Sequence, residues 1–296
     1  MEKATTVEQV RKAIGRARDK LRQDTREGSS GLIGFVPTMG ALHAGHFSLI
    51  DAARRECGFV VVSIFVNPTQ FGPNEDYDDY PRPIEQDLAG CDSHGVDLVF
   101  VPTVEQMYPD GFSTIVHVSG ITETMEGQFR PGHFDGVCTV VAKLFSIVGA
   151  DVAYFGSKDY QQAMVIKRMV ADLNLPIRIV LCPTIRESDG LAISSRNAYL
   201  DKHERSQAAS LYESLRLAEE LINGGERNAK EVIRAVRRHL AEKATLGKID
   251  YVAIVDPETL QAVDIIQGDV IVALAVRFPS ARLIDNIRVD VEPLRR

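Results

Sequence analysis

The chain has 296 residues, of which 45% are hydrophobic and 25% charged, the balance of a globular protein large enough for two domains. Its net charge of −7 argues against a nucleic-acid-binding surface, because affinity for a duplex depends on Lys and Arg neutralising phosphates. The start is charged and helical in character, unlike a secretory signal, and no apolar stretch approaches a membrane span, so a cytoplasmic enzyme is expected.

Residues 7–22 place Val7, Val10, Ala13, Ile14 and Ala17 on one face of a predicted helix, which Gly28–Gly31 breaks. A strand is expected over Leu32–Val36 and a helix over Phe47–Glu56. Between them lies Pro37-Thr38-Met39-Gly40-Ala41-Leu42-His43-Ala44-Gly45-His46, with two histidines three apart at a helix entrance. Unpaired N–H groups and the positive end of a helix dipole suit phosphate there, and imidazoles can add donors. Gly40 and Gly45 let the backbone approach a bulky group. A metal site on His43 and His46 is a second reading, which lacks further ligands at recognisable spacing.

Phe59–Val66 reads as a strand covered on both faces, and Asn67–Pro83 as a loop. A helix over Ile84–His94, a strand over Asp97–Val101 and a peripheral strand over Ser113–Val118 follow. Next come a buried helix over Phe134–Val148, a strand over Val152–Phe155, a helix over Asp159–Asp172 and a strand over Ile177–Leu181. This alternation predicts an α/β fold: a Rossmann-like, doubly wound parallel sheet occupying residues 1–184.

Residues 185–296 read as a smaller C-terminal α+β domain, expected to cover the site. Asp201 and Glu204 suit a helix start ahead of Ala208, Leu211, Leu215, Ala218 and Ile222. Asn228 starts another helix, and strands close the chain near Ile249–Val255, Val270–Val276 and Arg282–Ile287. Cys57, Cys91, Cys138 and Cys182 show no C-x-x-C pairing and read as buried thiols.

Four polar clusters share one kind of position, just beyond the carboxyl end of a predicted strand: Thr38–His46; Asn67, Thr69 and Gln70; Ser157, Lys158, Asp159 and Gln162; and Arg186 with Ser194-Ser195-Arg196. Ligands of open parallel sheets bind at those ends. Lys158, Arg196 and the two histidines would offset charge developing in nucleotidyl transfer. Asn67, Gln70, Gln161 and Gln162 could orient a hydroxy acid, or Asn67 and Gln70 could simply cap a loop. Neither G-x-x-x-x-G-K-[ST] nor a G-x-S-x-G elbow is present, which sets aside P-loop kinases and α/β-hydrolases.

His43-Ala44-Gly45-His46 resembles the H-x-G-H signature of nucleotidyltransferases. The match extends through Ser63–Phe71, Tyr80-Pro81-Arg82, Arg130–Phe134, Lys158–Gln162 and Asp189–Asn197, in the pattern of the pantothenate synthetase family. The resemblance implies an ATP-dependent ligase joining pantoate to β-alanine through pantoyl adenylate, with release of AMP and pyrophosphate, assisted by Mg²⁺ and working as a homodimer. It implies nucleotide contacts from Met39, Gly40, Ala41, Leu42, His43, Ala44, Gly45 and His46, from Gly156, Ser157, Lys158 and Asp159, and from Ile185, Ile193, Ser194, Ser195 and Arg196. His46, His43, Lys158 and Arg196 would be catalytic, Gln70, Gln162 and Asn67 would hold substrate, and Asp87 is the candidate for Mg²⁺. Ser157 and Ala44 depart from the family's usual residues at their positions.

Overall fold

The computed structural model describes residues 1–24, 30–73 and 75–291. Residues 28 and 29 of the predicted break, residue 74 of the predicted loop and residues 292–296 of the C-terminal domain lie outside the described residues. The chain divides into two compact units, one formed by Met1–Thr122, Arg130–Ser157 and Gln162–Pro183, the other by Glu123–Phe129, Lys158–Gln161 and Thr184–Arg296.

The first unit contains strands β1 (Glu2–Ala4), β2 (Ile33–Thr38), β3 (Phe59–Ile64), β4 (Leu98–Phe100), β5 (Val152–Gly156) and β6 (Arg178–Cys182). They form one sheet in the order β1-β4-β3-β2-β5-β6, and every pairing is parallel. The chain leaves β2 towards β3 and β4 on one side, and returns through β5 and β6 on the other. That reversal puts a topological switch point between β2 and β5, as a doubly wound sheet requires. Val60, Val61, Val62, Leu98, Val99 and Phe100 are fully buried, which explains the near-continuous apolar runs of the inner strands.

Helices α1 (Val7–Gln23), α2 (Ala44–Glu56), α3 (Ile84–Ser93), α4 (Val104–Met107), α6 (His133–Val148) and most of α7 (Tyr160–Asp172) belong to this unit, while the short α5 (Glu126–Phe129) belongs to the other. Thr6 and Gln9 close a capping box at the start of α1, and Val10, Ala13, Ile14 and Ala17 are its buried face. The four cysteines are free and buried.

One predicted strand is absent. Residues 113–118 pair with no strand among the described residues; the Val116 N–H is taken instead by Thr139 Oγ1 at 3.0 Å. Their β-branched pattern satisfied the propensity, but a strand also needs a neighbouring ladder.

In the second unit, helices α8 (Lys202–Ala208), α9 (Ser210–Asn223) and α10 (Ala229–Lys243) accompany an antiparallel sheet of β7 (Lys248–Val255), β8 (Val270–Arg277) and β9 (Arg282–Val289), in that order. Leu211, Leu215, Ala218, Ile222, Val232, Val236 and Leu240 pack with Ile254, Val272 and Leu274 in one core. The single helix expected after Asp201 is two helices. The Ser210 hydroxyl donates to the Gln207 carbonyl at 2.6 Å and so competes with the ladder at the break.

Candidate functional site

Because all strands of the larger sheet run one way, the segments that leave β2, β3 and β5 emerge on one edge. Thr38 and Ile64 are register partners at the ends of β2 and β3, and Thr38 Oγ1 also donates to the Ser63 carbonyl at 2.7 Å. The two clusters Met39–His46 and Asn67–Gln70 are therefore adjacent in the sheet.

After β2 the backbone turns through Gly40 at φ 85° and Ala41 at φ 51°, two left-handed residues in succession. Only the first is glycine, so the second carries strain that its surroundings must hold. Asp87 on α3 does so: its Oδ2 accepts the Ala41 N–H at 2.9 Å and its Oδ1 the Leu42 N–H at 2.7 Å. The carboxyl is 2% exposed, and burial pushes its pKa up while the two amide donors pull the other way. These bonds engage both carboxylate oxygens, and no cluster of three or more His, Cys, Asp or Glu suited to a metal occurs among the described residues. Asp87 thus serves the turn, each carboxylate oxygen accepting one main-chain N–H. The Ala41 and Leu42 amides are likewise engaged by protein.

Helix α2 begins with an arrangement in which imidazoles replace the usual capping hydroxyls. His43 Nδ1 accepts the Gly45 N–H at 3.2 Å, and His46 Nδ1 accepts the His43 N–H at 3.3 Å. The rings lie 4.1 Å apart, tilted by 37°. A nitrogen that accepts carries no hydrogen, so each neutral ring holds its proton on Nε2. Both side chains are thereby fixed as Nε2–H donors at a helix N-terminus. The expectation of bare helix amides for phosphate is modified, since several of those amides are satisfied within the cap.

After β3, Asn67 caps the 3₁₀ turn Pro68–Gln70 and is 1% exposed. Its Nδ2 donates to Gln70 Oε1 at 3.2 Å and to the Gly136 carbonyl at 3.1 Å, while its Oδ1 accepts from Tyr108 Oη at 2.7 Å and Thr69 Oγ1 at 3.0 Å. Asn67 is saturated by protein and fixes which way the Gln70 amide faces. Gln70 Nε2 then points at Met39 Sδ, 2.8 Å away, linking the two loops. Helix α6 presses on this turn so closely that a Cβ on Gly136 would stand 2.3 Å from the Thr69 carbonyl oxygen.

Sequence alone assigns no role to the residues that hold Gln70 from behind. His133 Nδ1 donates to the Gln70 carbonyl at 2.8 Å, which leaves Nε2 to accept from Arg130 Nη1 at 3.1 Å. Arg130 forks onto Glu75 at 2.7 and 2.5 Å and also reaches the Gln70 carbonyl. Burial pushes the Glu75 carboxyl up, but the Arg130 bonds and charge outweigh it, for a net displacement downwards. The signal was present as Arg130 and His133 within one short motif; its partner Glu75 lies 55 residues earlier. Arg82 similarly gathers the carbonyls of Tyr77, Asp78 and Tyr80.

Gly156 ends β5, Ser157–Asp159 form a 3₁₀ turn, and Gln162 is half-buried in the first turn of α7. In the second unit, Lys158 Nζ stands 3.7 Å from Asp159 Oδ1. Ile185 and Ile193 are joined by an N–H to carbonyl bond of 3.0 Å that closes a hairpin. Ser194 caps the turn Ser195–Tyr199 by accepting the Arg196 N–H at 3.3 Å. Lys158 and the Ser194–Arg196 segment are thus in one unit, and the histidine cap, Asn67, Gln70 and Gln162 in the other.

A doubly wound parallel sheet whose polar loops gather at the strand ends beside its switch point has the layout of an α/β enzyme that binds its ligands there. The family model for pantoate-beta-alanine ligase matches residues 3–288. A pantothenate synthetase of Acetivibrio thermocellus is 54% identical over 90% of this chain and 95% of its own length, and one of Moorella thermoacetica is 53% identical over 98% and 99%. Among solved structures, pantothenate synthetase from Thermus thermophilus superposes with a TM-score of 0.88 at 48% identity, covering 97% of this chain and 99% of that one. Pantoate-beta-alanine ligase from Francisella tularensis, complexed with beta-gamma ATP and beta-alanine, gives 0.73 at 36% identity and 97% coverage of each chain. The chain belongs to the pantoate-beta-alanine ligase family, the ATP-dependent ligases that form pantothenate through an adenylate.

Proposed function

We propose that this chain condenses pantoate with β-alanine by using its histidine cap and its Lys158 and Arg196 cations on ATP, and its Gln70 and Gln162 amides on pantoate. The observation that carries this is the pair of imidazoles, His43 and His46, held at the start of α2 beside the switch point with each Nδ1 accepting a main-chain N–H. Donors held in this way can follow charge as it moves onto phosphate oxygens without reorganising.

The pantoate carboxylate attacks the α-phosphorus, the bond to the bridging oxygen breaks, and pyrophosphate leaves. Negative charge grows on the equatorial and leaving oxygens, where His43, His46, Lys158 and Arg196 act. Stabilisation counts only to the extent that it is stronger in the transition state than in the bound substrates. The amine of β-alanine then attacks the acyl carbon of pantoyl adenylate, and AMP departs as the amide forms. Gln70, oriented by Asn67, holds pantoate through this exchange. Met39–Leu42, Ala44, Gly45, Gly156, Ser157, Asp159, Ile185, Ile193, Ser194 and Ser195 complete the nucleotide contacts, the 41 and 42 amides excepted.

Mg²⁺ bound with ATP would supply charge neutralisation to the nucleotide and would need few protein ligands. Among the described residues no helix is long and apolar enough to cross a membrane, which fits the proposed cytoplasmic location. The exposed Ile115, 70% accessible, is compatible with the proposed homodimer.

The test supplies ATP, pantoate and β-alanine separately and together, and follows AMP and pyrophosphate. Pyrophosphate exchange into ATP that needs pantoate alone, with AMP release coupled to amide formation when β-alanine is added, is the expected result. Exchange driven equally by unrelated carboxylic acids would overturn the substrate assignment.

A further inference from the structure

Arg186 follows β6 among the polar residues that the sequence grouped with phosphate binding, yet its guanidinium is committed elsewhere. Nη1 donates to Asp285 Oδ2 at 2.6 Å and to the Gly190 carbonyl at 3.1 Å; Nη2 donates to Asp285 Oδ1 at 3.0 Å and to the Asn286 carbonyl at 3.2 Å. The Tyr212 ring covers it, with Cζ 4.0 Å from the centroid. Asp285 is 3% exposed and its Oδ1 also accepts the Asn286 N–H at 2.8 Å. Asn286, on β9, donates from Nδ2 to the carbonyl oxygen of Lys158 at 2.7 Å. The hairpin that Arg186 opens, bridged at Ala192 and closed between Ile185 and Ile193, leads straight into Ser194.

One buried ion pair therefore fixes two things. It holds the hairpin that precedes Ser194–Arg196, and through Asn286 it holds the main chain at Lys158. We propose that Arg186, Asp285 and Asn286 are positioning residues that set the root of the Lys158 side chain and the start of the Ser194–Arg196 segment. This rests on the role given to Lys158 above.

The physical need is plain. A lysine carries a point charge on a flexible four-carbon stem, and holding it costs rotamer entropy. Fixing the backbone at its root removes one source of misplacement. Errors of about 1 Å at a reacting centre can cost on the order of a hundredfold in rate. A buried ion pair by itself is weak evidence of stabilisation, since replacing it with apolar groups is often neutral. Its retention here matches a role in placing two cationic elements from one strand.

Removing either ion-pair partner strands a buried charge, so the test is carried by Asn286, whose amide can be deleted without that penalty. Single-turnover formation of pantoyl adenylate is measured at saturating ATP and pantoate for Asn286→Ala and Asn286→Asp, each with and without Lys158→Ala, alongside thermal unfolding. Expected is a loss of about tenfold for Asn286→Ala with an unchanged unfolding midpoint, and a larger loss for Asn286→Asp, which sets acceptor against acceptor. In the Lys158→Ala background the same changes should have little effect, because the group they position is gone. An Asn286→Ala enzyme at full rate, or one whose loss persists undiminished without the lysine, overturns the proposal while leaving Lys158 in place. Full activity of Lys158→Ala alone would overturn the role of Lys158 and the proposal with it.

Discussion

The Asp87 carboxylate accepts the Leu42 N–H at 2.7 Å across 45 positions of sequence, and with the Ala41 N–H it stabilises consecutive left-handed residues. The same kind of concavity binds anions in nests of main-chain amides. Here the anion is the protein's own, and the turn is set before any nucleotide arrives. Asp87→Asn keeps the shape but sets an amide hydrogen against a main-chain one. Turnover is expected to fall between about ten- and a hundredfold, the effect of one lost charge-assisted bond. Raising Mg²⁺ should not restore it; restoration would identify Asp87 as a metal ligand after all.

The His46 side chain caps the His43 N–H and the His43 side chain the Gly45 N–H, in addition to the phosphate role proposed for both. His46→Ala should slow pantoyl adenylate formation by about a hundredfold or more, as loss of a preorganised donor does. A modest loss of helix stability, about 1 kcal/mol for a missing cap, should accompany it. Pyrophosphate exchange and thermal unfolding measure the two effects separately. Loss of stability with normal exchange would reduce His46 to a cap.

Lys158→Ala should lower the same step at least about a hundredfold while the protein stays folded. Exchange kinetics at saturating ATP check this, because weaker binding alone would be hidden there.

At Gly136 a methyl group would meet the Thr69 carbonyl at 2.3 Å, and the Gln70 main-chain nitrogen at 2.7 Å. Gly136→Ala must push the turn that bears Asn67 and Gln70 away from α6. The cost expected from overpacking is about 1–3 kcal/mol. KM for pantoate should rise more than KM for ATP, as it should in Gln70→Ala. Equal increases for both substrates would detach this turn from pantoate.

Glu75 gives a pH-dependent prediction. Its folded-state pKa lies below the ordinary 4.5 because the Arg130 bonds outweigh burial. A carboxyl lowered in this way adds stability above its unfolded pKa, and loses it as pH falls through the folded value. Wild type should therefore exceed Glu75→Gln in denaturant midpoint near neutrality, with the gap closing below about pH 4.5. A gap that widens on acidification would mean that the pair does not act as described.

The inner strands of the parallel sheet were legible because they and the crossover helices carry their own periodicity, from Val60–Val62 to the buried face of α6, whereas edge strand β1, Glu2–Ala4, is too short to show one. The two histidines at a helix entrance were legible, but not their capping of the main chain, in which each Nδ1 accepts an N–H. What escaped reading depends on distance in sequence. Asp87 reaches the turn 45 positions earlier, and Arg186 meets Asp285 99 positions later; no local pattern encodes either. Asn67 showed its capping chemistry, but not the Tyr108 hydroxyl that completes it. Ser113–Val118 has strand propensity without a strand, because propensity says nothing of what is available to pair with.

The assignment of Glu123–Phe129 and Lys158–Gln161 to the second unit has a consequence for anyone who would divide the gene. In the intact chain Arg282 forks onto Glu126, Tyr251 Oη donates to Glu126 at 3.0 Å, and Gln161 bonds both the Glu126 N–H and the Thr124 carbonyl. A fragment ending at Pro183 would retain Glu126 and Gln161 but forfeit the arginine and tyrosine that complete them. Its counterpart would keep a buried arginine with no carboxylate from that loop. Neither half is a module that recombination could trade intact, so such a protein is inherited whole.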